Sequence, residues 1–408
     1  MAENTKERIL DAAFSFYSKP VFREISLSQI AEKVGITKAA IFKHFKNKDA
    51  LKQAMQDKMY GDMAEVLCEM QQKYLDLKDQ EALPLVIQFI AEHIEYLNYM
   101  IVSLEELTED NLFLLLKKYG VTLLDTIYNE DGKIKSLSGY FKSIYASSTM
   151  LIFILIRQNI ISGKLCTEGI KITDTQDFSK KLSLLIEHGI NGKDANIRMI
   201  RLTEIDGVCN KSMENLKEID RILLALARVI SAEGITGITV DKVAKELGMA
   251  KSSLYTWFSN KNEMIKTLVK DEMKQMYSIM AKNMKEMNTS GERLYVMLQT
   301  VLSYLMLRPE LLDICRWIQM SDDMQFENDE DMREFFAFQE SFFNLIDLGF
   351  TGNSEKLSMI SAGWFFSLPV LLLLHGRSHN FELPILQAAM KDMYFMVQFG
   401  IASGDFEK

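Results

Sequence analysis

Apolar residues recur at helical spacing along most of the chain. Ile9, Leu10, Ala13, Phe16 and Tyr17 mark one side of a first helix, and Asn4 and Glu7 precede it at capping-box spacing. Lys19-Pro20 breaks that helix. Ser26 and Gln29 supply a second capping box, before a short helix whose apolar face is Leu27, Ile30, Ala31 and Val34. Gly35 is placed to end it, because glycine readily adopts the left-handed conformation just past a helix. Thr37 has the chemistry to cap a third helix, which turns Ala40, Ile41 and Phe45 inward and leaves Lys38, Ala39, Phe42, Lys43 and His44 outside. After Lys48 a long amphipathic helix is predicted to about Leu77, followed by helical stretches near 81–107, 110–128, 137–164 and 174–190.

The same pattern then returns. Residues 30–51 (IAEKVGITKAAIFKHFKNKDAL) align without a gap on 243–264 (VAKELGMAKSSLYTWFSNKNEM) at a constant offset of 213. Ala31 matches Ala244, Gly35 matches Gly248 and Lys38 matches Lys251. Phe45, Asn47 and Lys48 match Phe258, Asn260 and Lys261. Upstream, Leu10, Ala12, Phe22, Ile25 and Ser26 pair with Leu223, Ala225, Ile235, Ile238 and Thr239. So long a period rules out a solenoid and indicates two copies of a whole unit. The second copy predicts helices at 261–288, 290–307, 309–320, 330–348, 354–376 and 382–402.

Two short helices joined by a glycine turn form a helix-turn-helix, whose second helix can enter a DNA major groove. The candidate DNA-facing set in the first copy is Ser28, Thr37, Lys38, Ala39, Ala40, Phe42, Lys43, His44 and Lys48. In the second it is Lys251, Ser252, Ser253, Tyr255, Thr256, Trp257 and Lys261. Small residues at Ala39, Ala40, Ser252 and Ser253 permit close approach; Ala39 suits a thymine methyl and the serines suit hydrogen bonds to base edges. Lys48 and Lys261 are placed to meet phosphate, a contact that positions rather than specifies. One such pattern alone is equally compatible with a three-helix packing module, and the duplication favours DNA binding.

Composition narrows the class. The 408 residues exceed what one core usually supports, so at least two domains are expected. Five prolines beside 25 methionines and 24 phenylalanines suit a helical protein with bulky, adaptable interiors. The four cysteines (Cys68, Cys166, Cys209, Cys315) are widely spaced, as in reduced cytoplasmic thiols. The opening MAENTKERIL holds no long apolar signal core. The most apolar runs, Met150–Ile156 and Leu368–Leu374, fall short of the roughly 20 residues of a spanning helix and read as buried, so no membrane is expected. No phosphate-binding glycine loop, nucleophile elbow or paired catalytic carboxylates occur, so an enzyme is not expected; neither is a cofactor. His375 and His379 have a metal-compatible spacing but no third ligand, and no metal is expected. The acidic run Glu327, Asp329, Glu330, Asp331 reads as a solvated loop.

Net charge is −9, unevenly spread. Residues 1–60 hold 11 Lys+Arg against 7 Asp+Glu, whereas residues 214–273 hold 9 of each. Phosphate attraction supplies most non-specific DNA affinity, so the first copy is expected to bind more strongly.

At these residues the chain resembles the TetR/AcrR family of regulators. Ser26, Ile30, Ala31, Gly35, Thr37, Ile41, His44, Phe45 and Lys48 fit the family pattern in the first copy. Thr239, Val243, Ala244, Gly248, Leu254, Tyr255, Phe258 and Lys261 fit it in the second. Phe42 stands where the family usually has tyrosine, Ala250 where a Ser or Thr cap is usual, and Trp257 where His or Tyr is usual.

The resemblance implies an all-α fold of two tandem units. Each has a three-helix head and a helical ligand-binding and pairing body: head 1–47, body 48–190, linker 191–213, head 214–260 and body 261–408. In the family, the last two helices of each subunit pair across a dimer. Here both partners lie in one chain, which predicts an intramolecular pseudo-dimer of 137–164 and 174–190 with 354–376 and 382–402. Ile152, Leu155, Ile156 and Ile160 would face Phe365, Leu368, Leu372, Met390 and Phe395; the less favoured alternative is that these stripes close each half's own core. The implied partners are a double-stranded DNA operator with two half-sites and a small apolar or amphipathic effector. A homodimer of two-headed chains is also compatible. Phe89, Tyr96, Tyr99, Met100, Phe113, Met297, Tyr304, Trp317, Phe335 and Phe342 suit either an effector pocket or plain core packing.

Overall fold

The structure is a computed structural model. It describes residues 2–18, 25–77, 82–103, 109–163, 169–192, 197–214, 216–233, 238–312, 314–315, 346–352 and 354–403. It is all-α apart from one pair of two-residue strands and an isolated bridge between Tyr128 and Ile134 among the described residues. The chain divides into two compact units, Met1–Tyr140 with Asp174–Ser183, and Phe141–Thr173 with Leu184–Lys408.

The first unit contains α1 (Ala2–Ser15), α2 (Leu27–Val34), α3 (Lys38–Phe42), α4 (Lys48–Leu77), α5 (Ala82–Glu92), α6 (Ile94–Ser103) and α7 (Glu109–Lys118). One core joins head to body: Ile9, Ala13 and Phe14 of α1 bury with Ile30, Ile41 and Phe45, and with Met55 and Met59 of α4. Burying a side chain of this size is worth about 1.5–3 kcal/mol, so the head is held chiefly by apolar packing. Body helix α6 is bound to α1 through Phe14, which meets the Tyr96 ring edge-on at 4.6 Å, and to the turn after α1 through Asn98, whose Nδ2 donates to the Tyr17 carbonyl at 2.8 Å.

Three local expectations change here. Helix α1 already begins at Ala2, so Asn4 lies within the helix rather than capping it. The stretch near 81–107 is two helices, because the chain tightens at His93, whose carbonyl accepts from Tyr96 three residues on at 2.9 Å. The stretch near 110–128 stops at Lys118, because Gly120 takes φ +90° before a short 3₁₀ turn at Leu123–Thr126. The Lys19-Pro20 break, Phe22 and Ile235 lie outside the described residues.

The second unit brings parts of both sequence copies together. From the first copy it takes most of α8 (Leu137–Ile161), strand β1 (Lys171–Ile172) and the end of α9 (Thr175–His188). It continues with α10 (Met199–Ser212), α11 (Arg221–Glu233), α12 (Val240–Glu246), α13 (Lys251–Tyr255), α14 (Lys261–Lys285) and α15 (Ser290–Met306). Strand β2 (Phe350–Thr351), α16 (Ser354–His379) and α17 (Leu383–Phe399) complete it. Cross-copy contacts are specific. The strands pair antiparallel, Lys171 opposite Thr351 and Ile172 opposite Phe350. Phe153 of α8 packs on Trp364 of α16 with ring centroids 5.3 Å apart. The Ile190 and Asn191 amides donate to the Val397 and Gln398 carbonyls at 2.8 and 2.7 Å. The two copies thus pair within one chain.

The face of α8 is not the expected one. Phe153, Ile154 and Arg157 are buried, whereas Ile152, Leu155, Ile156 and Ile160 are half-buried. A helix apolar on all sides has no periodicity from which to choose a face. Phe365, Leu368, Leu372, Met390 and Phe395 are buried as expected. Leu137–Ile161 and Ile360–His379 are both long and apolar enough to cross a membrane by length and composition. The apolar runs within them are shorter, because Thr149 and Arg157 bound the first and Ser367 and His375 the second without ending the helices.

Segment 191–213, expected as a polar linker, contains α10. Leu202, Ile205 and Cys209 are buried along it, at a spacing that charged neighbours and Gly207 mask in the sequence. Buried Asp206 accepts from the Tyr295 hydroxyl at 2.6 Å and meets Lys391 at 2.9 Å. Arg201 pairs with Glu292 at 2.7 Å, which holds the Glu292 carboxyl below its usual range. The stretches expected near 309–320 and 330–348, with Trp317, Phe335, Phe342, Cys166 and the acidic run, lie wholly or largely outside the described residues.

Candidate nucleic-acid interface

In the first head the turn between α2 and α3 is built from three local devices. Ser26 and Gln29 form a reciprocal capping box: the Ser26 Oγ accepts from the Gln29 amide at 3.2 Å, and the Ser26 amide donates to Gln29 Oε1 at 3.0 Å. Gly35 sits at φ +76°, and Ile36 closes the turn by donating to the Ala31 carbonyl at 2.9 Å. Thr37, extended at φ −80° and ψ 153°, accepts from the Ala40 amide at 3.2 Å and starts α3. Ile41 and Phe45 are buried and pin α3 from below.

With α3 pinned, its other side faces outward. Ser28, Thr37, Lys38, Ala39, Phe42, Lys43 and Lys48 are exposed, while Ala40 and His44 are half-buried. His44 is therefore only partly available to a partner. The segment from Ile36 to Lys52 carries Lys38, Lys43, Lys46, Lys48 and Lys52 against Asp49 alone.

The second head repeats the frame with different chemistry. Thr239 caps α12 by accepting from Lys242, and Gly248 takes φ +66°. Ala250 leaves α13 without a side-chain cap. Leu254 is the buried pin, and Phe258 is half-buried where Phe45 is buried. Lys251, Ser252, Tyr255, Thr256 and Trp257 are exposed, with Trp257 56% and Tyr255 44% accessible; Ser253 and Lys261 are half-buried. The segment from Met249 to Ile265 carries only Lys251 and Lys261 as cations. Lys251 Nζ lies 2.7 Å from Asp241 Oδ1 and 5.6 Å from the centroid of the Tyr255 ring. The hydrogen bond it donates to Asp241 raises the Lys251 pKa above its ordinary value.

Several contributors escaped the sequence reading. Asn47 and Asn260 cap the helices that carry Lys48 and Lys261, accepting from the Ala50 and Glu263 amides at 2.8 and 2.9 Å. Their matched positions in the two copies were the one signal in the sequence. Arg8 donates to the Val34 carbonyl at 2.9 Å and ties α1 to the end of α2, a long-range bond with no sequence signal. Ser259 hydrogen-bonds Glu263 through its hydroxyl and its amide, holding that carboxyl below its usual range. Among the described residues no group of three or more His, Cys, Asp or Glu side chains is arranged to hold a metal.

Frame and surface together define a tandem helix-turn-helix protein. Residues 9–55 and 222–268 each match the model of bacterial regulatory proteins of the tetR family, so the chain matches that model twice, once at each head. The fatty acid metabolism regulator protein of Bacillus subtilis (strain 168) is 32% identical over 85 residues, 21% of this chain and 44% of that protein. The HTH-type transcriptional regulator AcrR of Shigella flexneri is 33% identical over 73 residues, 18% of this chain and 34% of that protein. The chain thus spans less than half the length of these relatives. The crystal structure of the Bacillus subtilis transcriptional regulator FadR in complex with stearoyl-CoA is similar over 44% of this chain and 98% of that one, at 19% identity and a TM-score of 0.33.

Proposed function

We propose that this chain is a DNA-binding transcriptional regulator that presents two unequal reading heads to an operator, and that it represses until a small apolar or amphipathic effector releases it. The observation that carries the reading is the first head's geometry. A capped, glycine-delimited helix is pinned by Ile41 and exposes Lys38, Ala39, Phe42 and Lys43. The tetR-family match at both heads supports it. Two heads suit half-sites about one helical turn, roughly 34–36 Å, or a multiple of it apart. Because the heads differ in side chains, the operator is expected to be an imperfect palindrome.

The effector part rests on the body. Leu223 of the second head lines a pocket together with Met273, Met276, Leu305, Ile314 and Phe366. The pocket itself is small, about 30 Å³, so an effector would enter it only as the flexible Met273 and Met276 repack, and would then touch a head helix and body helices at once. Release then follows if the ligand prefers the arrangement that does not bind DNA.

A gel-shift with the whole chain and duplex from upstream of its own gene tests the reading. The expected result is a complex that weakens steeply as salt rises. No complex at low ionic strength would instead support a protein-interaction or decoy module. The exposed Trp257 and Tyr255 of the second head are what favours that alternative.

A further inference from the structure

The two heads differ most sharply at one pair of positions. In the first, Ser28 and Lys38 occupy the places that Asp241 and Lys251 occupy in the second, 213 residues on. Asp241 and Lys251 form a 2.7 Å ion pair on the outer side of the head, with their side chains 58% and 53% accessible. So exposed a pair contributes little to folding, because water screens the attraction. Its main consequence is therefore electrostatic, at a surface where cations would meet phosphate.

We propose that Asp241 masks Lys251, withdrawing the one cation on the second recognition helix from DNA and so widening the affinity difference between the heads. The inference rests on the DNA-binding reading above. Lys251 is the only Lys or Arg in α13, so its neutralisation leaves that helix with Ser252, Ser253 and Tyr255. Thr256, Trp257 and Ser259 follow, where the first copy has Lys43, His44 and Lys46. A head so arranged adds little phosphate attraction.

The test is a double-mutant cycle in the full chain, which isolates the coupling between the two residues. Non-specific binding to a mixed-sequence 40-base-pair duplex serves as probe, because phosphate attraction does not depend on sequence. Lys251→Ala should change affinity less than about twofold in the parent but about five- to tenfold in the Asp241→Ser background at about 50 mM salt. Asp241→Ser alone should tighten binding and steepen the dependence of log K on log salt by about one neutralised phosphate. Asp241→Asn, which keeps the side chain's size, should behave as Asp241→Ser does. An equal effect of Lys251→Ala in both backgrounds would overturn the mask while leaving DNA binding intact. Absence of salt-sensitive binding by parent and variants alike would overturn the DNA-binding reading and the mask with it.

Discussion

The indole N–H of Trp364 donates to the Thr149 hydroxyl at 3.1 Å, joining residues 215 positions apart. One lies on α16 of the second copy and the other on α8 of the first, and both are fully buried. This hydrogen bond stands where two subunits would meet if each copy were a separate chain. Thr149→Val should therefore destabilise the second unit by about 1–3 kcal/mol, because it leaves a buried donor unmatched. Thr149→Ser should restore most of that stability. Urea titration of the full chain measures both, and equal midpoints for Thr149→Val and parent would show that the bond contributes nothing.

The same pairing depends on two glycines. Gly189 (φ +67°) and Gly400 (φ +72°) end α9 and α17 against each other's preceding turns. A Cβ on Gly189 would fall 2.5 Å from the Gln398 carbonyl carbon, and one on Gly400 would overlap the Glu187 backbone. Alanine at either position should cost more than about 3 kcal/mol, since overpacking adds to left-handed strain. Thermal melts check this, and a shift of the melting temperature within error would disprove it.

His375 is half-buried on α16, and desolvation lowers its pKa from 6.5 to about 4, with His379 adding a smaller effect. A depressed histidine leaves stability complete above the unfolded value and removes it as pH falls. Between pH 6.5 and about 4 the unfolded chain takes up a proton that the folded chain refuses. That amounts to about 3 kcal/mol of stability forgone across the window. His375→Gln should flatten this part of the stability–pH curve measured by denaturant titration, whereas an unchanged slope would place the acid sensitivity elsewhere.

The caps offer a test of the asymmetry between heads. Thr37→Ala removes the cap of α3 and should cost about 1 kcal/mol. Ala250→Thr should add a comparable cap to α13, which now has none. Hydrogen exchange should show faster amides in α3 for the first variant and slower ones in α13 for the second.

Where a residue's role depends on its neighbours in sequence, the sequence was readable. Ser26, Gln29, Gly35 and Thr37 act within four residues of themselves, and the described α4 is helical from Lys48 through Leu77 as its pattern predicts. Where the role depends on a distant partner, it was not. Helix α10 hid because charged neighbours and Gly207 break up its apolar residues, and its polar ones, Asp206 and Arg201, are matched by Tyr295, Lys391 and Glu292 far along the chain. The burial face of α8 hid because every face is apolar. Asp241 was legible as an acid but not as the partner of Lys251, since the two lie on different helices on either side of the turn.

The decisive measurement is the binding of the full chain to its upstream duplex, as a function of salt, with and without Lys43→Ala and Lys48→Ala together. The double variant should bind at least about tenfold more weakly, with a salt slope shallower by about 0.9 for each phosphate it no longer neutralises. Identical affinity and slope for the two proteins would show that the lysine-bearing surface of the first head does not meet DNA.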